Sequence, residues 1–70
     1  NKCYDKNLFI HKLNPNYPTN LFSLIIDKKP IPNIKIKKIK NGFMQKNKDF
    51  IYIVTDRKVL FKDKIRSFLF

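Results

Sequence analysis

Phe50-Ile51-Tyr52-Ile53-Val54-Thr55-Asp56-Arg57, running on through Lys58-Val59-Leu60-Phe61-Lys62-Asp63-Lys64-Ile65-Arg66-Ser67-Phe68-Leu69-Phe70, is the stretch whose reading decides the fold. Its first five residues are aromatic and β-branched, side chains that pack well on a pleated surface, so a strand is predicted there. Thr55 offers a side-chain oxygen to free amides, and Asp56 offers a negative charge to the positive end of a helix dipole. Together they mark a helix start. Phe61, Ile65, Phe68 and Leu69 follow at three- and four-residue spacing, with Arg57, Lys58, Lys62, Lys64 and Arg66 elsewhere around the wheel. The expectation is a C-terminal helix from Arg57 to Leu69.

Upstream, Ile34-Lys35-Ile36-Lys37 alternates apolar and basic residues, the period of a half-buried strand with lysines on one face. Lys38-Ile39-Lys40 continues with its phase slipped by one, which points to a bulge or a twist. Asn41-Gly42 is the strongest short turn signal in the chain. Two connections are open: a tight hairpin there, or a longer loop through Gln45-Lys46-Asn47-Lys48, which is the one favoured. Leu21-Phe22-Ser23-Leu24-Ile25-Ile26 reads as a short strand between two loops rich in Pro and Asn. The first of these, Asn14 to Asn20, places Tyr17 where an exposed ring is expected. Asn1 to Leu13 has no clean period and reads as an extended arm.

The charge bounds the function. Sixteen Lys and Arg against five Asp give a formal net charge of +11, with no Glu, and fourteen of the basic residues are Lys. Self-repulsion at that density disfavours a compact state, and a polyanion relieves it by neutralising the lysines and releasing its own counterions. Lys grips phosphate as a point charge and lacks the fork that reads base edges, so backbone binding is favoured over sequence readout. Part of the excess has a plainer source, because Lys, Asn, Ile, Phe and Tyr are the residues of A- and T-rich codons.

A domain of 70 residues buries only about 60% of its unfolded surface, so a binding partner is the expected source of added stability. Cys3 and His11 are the lone cysteine and histidine, too few for a disulfide or a structural zinc site. They could form a nucleophile and base only with a third group to orient them, and none is evident. With one glycine and no paired carboxylates, an enzyme is not expected, nor a cofactor or small-molecule substrate. The longest apolar run is far shorter than the roughly 20 residues a membrane span needs. Any targeting peptide is expected to have been removed.

Lys28-Lys29-Pro30-Ile31-Pro32-Asn33-Ile34 resembles the basic, Pro-Asn-apolar segment of the bacterial-type large-subunit ribosomal protein twenty-eight family. In that family a basic strand, a second strand, a Val-Ser/Thr-x-Lys/Arg element and a helix with Asp-Lys follow. Here the matching residues are Val54-Thr55-Asp56-Arg57 and then Asp63-Lys64, and Cys3 lies about where family members carry an N-terminal cysteine. The family's N-terminal glycines and Ser-His element are absent, and Leu60 stands where a basic residue is usual. Phe50 to Arg66 also resembles the C-terminal strand and turn of small-subunit ribosomal protein eight. Either resemblance implies a ribosomal protein embedded in rRNA beside neighbouring ribosomal proteins.

The fold expected is α+β: a small antiparallel sheet of two or three strands, a C-terminal helix and an extended N-terminal arm. Residues 1–20 form the arm and the Pro/Asn loop, and residues 21–70 form the basic RNA-binding domain. The expected RNA-binding residues are Lys28, Lys29, Lys35, Lys37, Lys38, Lys40, Arg57, Lys58 and Lys62, with Tyr17 stacking on a base. The setting is a ribosome of a mitochondrion or plastid, or of a reduced A/T-rich genome. The competing readings are an interaction subunit of a protein assembly, basic only through its codons, and a binder of anionic membrane surfaces.

Overall fold

The computed structural model describes residues 14–70, so the expectations placed on Asn1 to Leu13 lie outside the described residues. The described chain forms one short helix, α1 (Leu21–Ile26), and five strands: β1 (Ile36–Ile39), β2 (Gly42–Lys46), β3 (Phe50–Thr55), β4 (Val59–Asp63) and β5 (Ser67–Leu69). The strands pair antiparallel in the order β1-β2-β3-β4-β5, so each lies beside its neighbour in sequence. This is a β-rich meander. It is not a sheet of two or three strands closed by a C-terminal helix.

The expected helix from Arg57 to Leu69 is instead a turn, β4, a second turn and β5. Val59, Phe61 and Asp63 are buried while Leu60 is half-buried and Lys62 exposed, a period of two. They face Val54, Tyr52 and Phe50 in the register of β3. The helix-like spacing of Phe61 and Phe68 arises because these two residues sit opposite each other across β4 and β5. The Asp-Lys helix implied by the ribosomal resemblance is likewise absent at Asp63 and Lys64, which end β4 and open a turn.

Thr55 does cap free amides, but those of a hairpin. Its Oγ1 accepts from the Arg57 and Lys58 N–H groups, at 3.3 and 3.2 Å, while its own N–H donates to the Lys58 carbonyl. Asn47 does the same for Asp49 and Phe50, and Asp63 for Ile65 and Arg66. In each case the backbone N–H bonds to the carbonyl three residues on. Short polar side chains that close their own turn in this way are favoured wherever the chain must reverse. The residues concerned, at positions 47, 55 and 63, recur every eight residues, and that interval is the period of the meander.

The first hairpin is equally tight. Ile39 pairs with Gly42 across Lys40-Asn41, so the longer connection expected through Gln45 to Lys48 is not formed, and those residues end β2 and turn into β3. Asn41 takes φ 64°, which Asn tolerates better than most residues. Gly42 answers a different need. A Cβ there would lie 2.8 Å from the Val54 carbonyl carbon and 2.9 Å from the Thr55 Cα, and closer still to the Val54 oxygen.

The run at Leu21 to Ile26 forms a helix and not the expected strand. A six-residue apolar run does not fix its own period, and burial decides it. Leu21 and Ile25, one turn apart, are fully buried, while Ser23 and Ile26 face outward. The helix stops in a Schellman pattern, with Lys28 at φ 60°, its N–H on the Ile25 carbonyl and that of Lys29 on the Leu24 carbonyl.

One face of the sheet makes the core. Phe50, Tyr52, Val54, Val59 and Phe61 pack with Leu21, Ile25 and Ile31 from the segment before the sheet. Each such burial contributes on the order of 1.5–3 kcal/mol. The rings meet edge-on or tilted, with Phe50 and Phe61 at 5.3 Å and Phe43 and Tyr52 at 5.8 Å.

Two polar side chains fasten the preceding segment to this face. Gln45, fully buried, accepts from the Ile31 N–H and donates to the Ile31 and Ile34 carbonyls, at 2.6, 2.9 and 2.9 Å. The Tyr52 hydroxyl lies 3.3 Å from the Leu24 carbonyl and 3.1 Å from that of Lys29.

Candidate nucleic-acid interface

A meander alternates its turns between the two ends of the sheet, and this alternation distributes the charge. One end carries the turns Lys40-Asn41 and Asp56-Arg57, with Lys58 next to the second. Lys40, Arg57 and Lys58, which the sequence assigned to a strand and a helix, therefore sit at the same end of one sheet. The Thr55 hydroxyl shapes the turn that presents Arg57 and Lys58, both exposed. The other end carries Lys48-Asp49 and Lys64-Ile65, with Arg66 beyond.

Among the described residues the one ion pair is here, Lys64 Nζ to Asp49 Oδ1 at 3.4 Å. With the lysine side chain 74% exposed, such a pair is worth at most about 1 kcal/mol.

The remaining expected contacts separate by face. Lys37 lies in register with Met44 on the face away from the core, and Lys62 lies on that same face opposite Ile51. Lys38 pairs with Phe43 and so points to the core side, at the free edge of β1. Lys35 precedes β1 and is exposed, and Lys28 and Lys29 occupy the turn after α1. The Tyr52 hydroxyl touches the Lys29 carbonyl and so ties that basic turn to the core. The structure does not gather these lysines into one patch. It sets them around a sheet whose core-side face is already filled.

Tyr17 departs from its expected exposure. Its ring stands edge-on to Phe50 at 5.1 Å and to Phe61 at 6.0 Å, half-buried in the aromatic cluster. Burial pushes its hydroxyl up to about 12, helped by the negative charges of Asp63 and Asp49. The reason is size, because so small a core draws in every large ring within reach. What remains accessible of Tyr17 lines a shallow cleft with Asn16, Asn33, Asn47 and Asp49.

Sequence reading missed Lys46, which lies on the outer face opposite Ile51, and Gln45, which fixes the loop leading from the basic turn to β1. The alternation Phe43, Gln45 against Met44, Lys46 was the available signal, since it continues the strand beyond Gly42.

Among the described residues no group of three His, Cys, Asp or Glu side chains could hold a metal ion, and no helix is long and apolar enough to cross a membrane. Comparisons with family models, with curated proteins and with solved structures each find no match.

Proposed function

We propose that this protein is a structural constituent of a ribosome that binds rRNA through Lys and Arg contacts to phosphate. The observation that carries the reading is the set of exposed cations on tight turns at both ends of the sheet, three of the four turns closed by an Asn, Thr or Asp side chain, with Lys64–Asp49 the one ion pair among the described residues. Cations held on short turns lose less freedom on meeting a phosphate than cations on mobile chain, and each phosphate neutralised releases counterions. Lys40, Arg57 and Lys58 form one contact group at one end of the sheet, and Lys28, Lys29 and Lys35 form a separate one on the segment that precedes β1.

The ribosomal setting draws its support from the resemblance of Lys28 to Ile34 and Val54 to Arg57 to the large-subunit family. An organellar or A/T-rich-genome ribosome fits the composition.

The test is sedimentation of the native protein on a density gradient with and without RNase, at rising salt. Co-migration with a ribosomal subunit and release by RNase are expected. A Lys40→Ala, Arg57→Ala, Lys58→Ala chain should leave the subunit at lower salt than the parent. Co-migration with an RNase-resistant assembly would overturn the reading.

A further inference from the structure

We propose that the outer face of the sheet is a protein-docking surface, and that its partner is a protein segment whose apolar residues are bordered by carboxylates. In the register of the sheet, Met44, Ile53 and Leu60 lie side by side on β2, β3 and β4, with Ile51 diagonal to them. All four are half-buried, and none belongs to the core cluster or to the side chains packed on it, because each alternates with the buried residues of its own strand. A continuous aliphatic strip on a sheet face, rimmed by charge, is the pattern of an interaction surface.

The rim specifies the partner. Lys37 stands in register beside Met44, and Lys46 and Lys62 flank Ile51 on either side, roughly 10 Å apart across two strand spacings. No described strand carries a carboxylate on this face: Asp63 points to the core side, and Asp56 and Asp27 lie in turns away from it. Asp49, in the turn beyond Lys46, is paired with Lys64 where that turn borders Lys46, Ile51 and Lys62. Apolar residues bordered by Asp or Glu complement such a strip on both counts.

Other occupants fit less well. Bases stack on rings or guanidinium planes, and the described rings lie in the core or pack against it, so the strip offers a nucleic acid no stacking surface. A membrane-surface binder usually presents Trp or Phe on its apolar side, and this face has neither. A second copy would set lysine against lysine. The inference stands apart from the contact groups of the rRNA reading, and it reassigns Lys37 and Lys62, expected from the sequence to meet RNA, to a protein partner.

The test is photo-cross-linking of the full chain in the cells that make it. A p-benzoyl-phenylalanine replaces Ile53 in one variant and Lys58 in another, and the cross-linked species are identified by mass spectrometry. At position 53 the expected product is a protein segment in which apolar residues alternate with Asp or Glu. A Lys37→Glu, Lys46→Glu, Lys62→Glu background should cut its yield at least tenfold, and Arg at the same three positions should preserve it.

Cross-links from position 53 to RNA, to lipid, to a second copy or to residues 1–13 of the same chain would each overturn the proposal, as would no product at all. RNA cross-links from position 58 alone bear on the rRNA reading, so failure of one inference is separable from failure of the other.

Discussion

Replacing Gln45 with Leu separates the contribution of one buried amide from that of the hydrophobic core. The side chains are similar in size, but Leu can neither accept from the Ile31 N–H nor donate to the Ile31 and Ile34 carbonyls. Ile31 is 1% exposed and Gln45 0%, so the two orphaned Ile31 groups cannot recover their partners from water. Each unsatisfied buried group costs about 1–3 kcal/mol. The Ile34 carbonyl is only part-buried and can hydrate. The expected loss is therefore about 2–6 kcal/mol, against a total stability of about 4–10 kcal/mol for a chain of this length.

Urea and thermal unfolding followed by circular dichroism measure this loss, which corresponds to a fall in Tm of at least about 10 °C. Amide exchange at Ile31 reports whether the loop detaches before the sheet melts. A loss below about 1 kcal/mol with Ile31 still protected would refute the claim that Gln45 anchors the loop. Gln45→Glu adds a second arm. A protonated carboxyl can still accept from one group and donate to another, whereas a buried carboxylate faces two carbonyls. Burial raises its folded pKa above the unfolded value of about 4.3, so its stability is greatest below that pH and is lost as the pH rises.

Two further outcomes follow from local geometry and from titration. Gly42→Ala should cost about 2–3 kcal/mol by denaturant titration, since its Cβ would meet the β3 backbone and the strands would have to part. A cost below about 0.5 kcal/mol would show that β2 can shift freely. Tyr17 and Tyr52 are both pushed from 10.0 up to about 12, chiefly by burial. Raised phenol values mean that this stability is present below pH 10 and is lost as the pH climbs from 10 toward 12. Phenolate absorbance should therefore lag for these two residues until the sheet unfolds. Ordinary titration of both at pH 10 with the circular dichroism unchanged would contradict their placement.

Much of the chemistry was legible in the residues and little of the topology was. Strand β3 and the turn signal at Asn41-Gly42 follow from local propensity. Thr55, read as a helix cap, closes a hairpin turn, and the basic strand at Ile36–Ile39 is mostly exposed where a half-buried one was expected. Composition alone dictated an exposed cationic surface, because sixteen basic residues cannot be buried in 70.

Tertiary structure decided the identity of Val59 to Leu69. Phe61 and Phe68 satisfy a helical spacing and a cross-strand pairing equally well, and only the presence of Tyr52 opposite Phe61 selects the second. It decided the fate of Leu21 to Ile26 for the same reason, since a short apolar run takes the form that buries one side against its surroundings. It also decided which lysines share an end or a face. The turns set that arrangement, and two turns sixteen residues apart bring Lys40 and Arg57, seventeen positions apart in sequence, to the same end of the sheet. Local chemistry fixes what each residue prefers, but proximity is a property of the sheet.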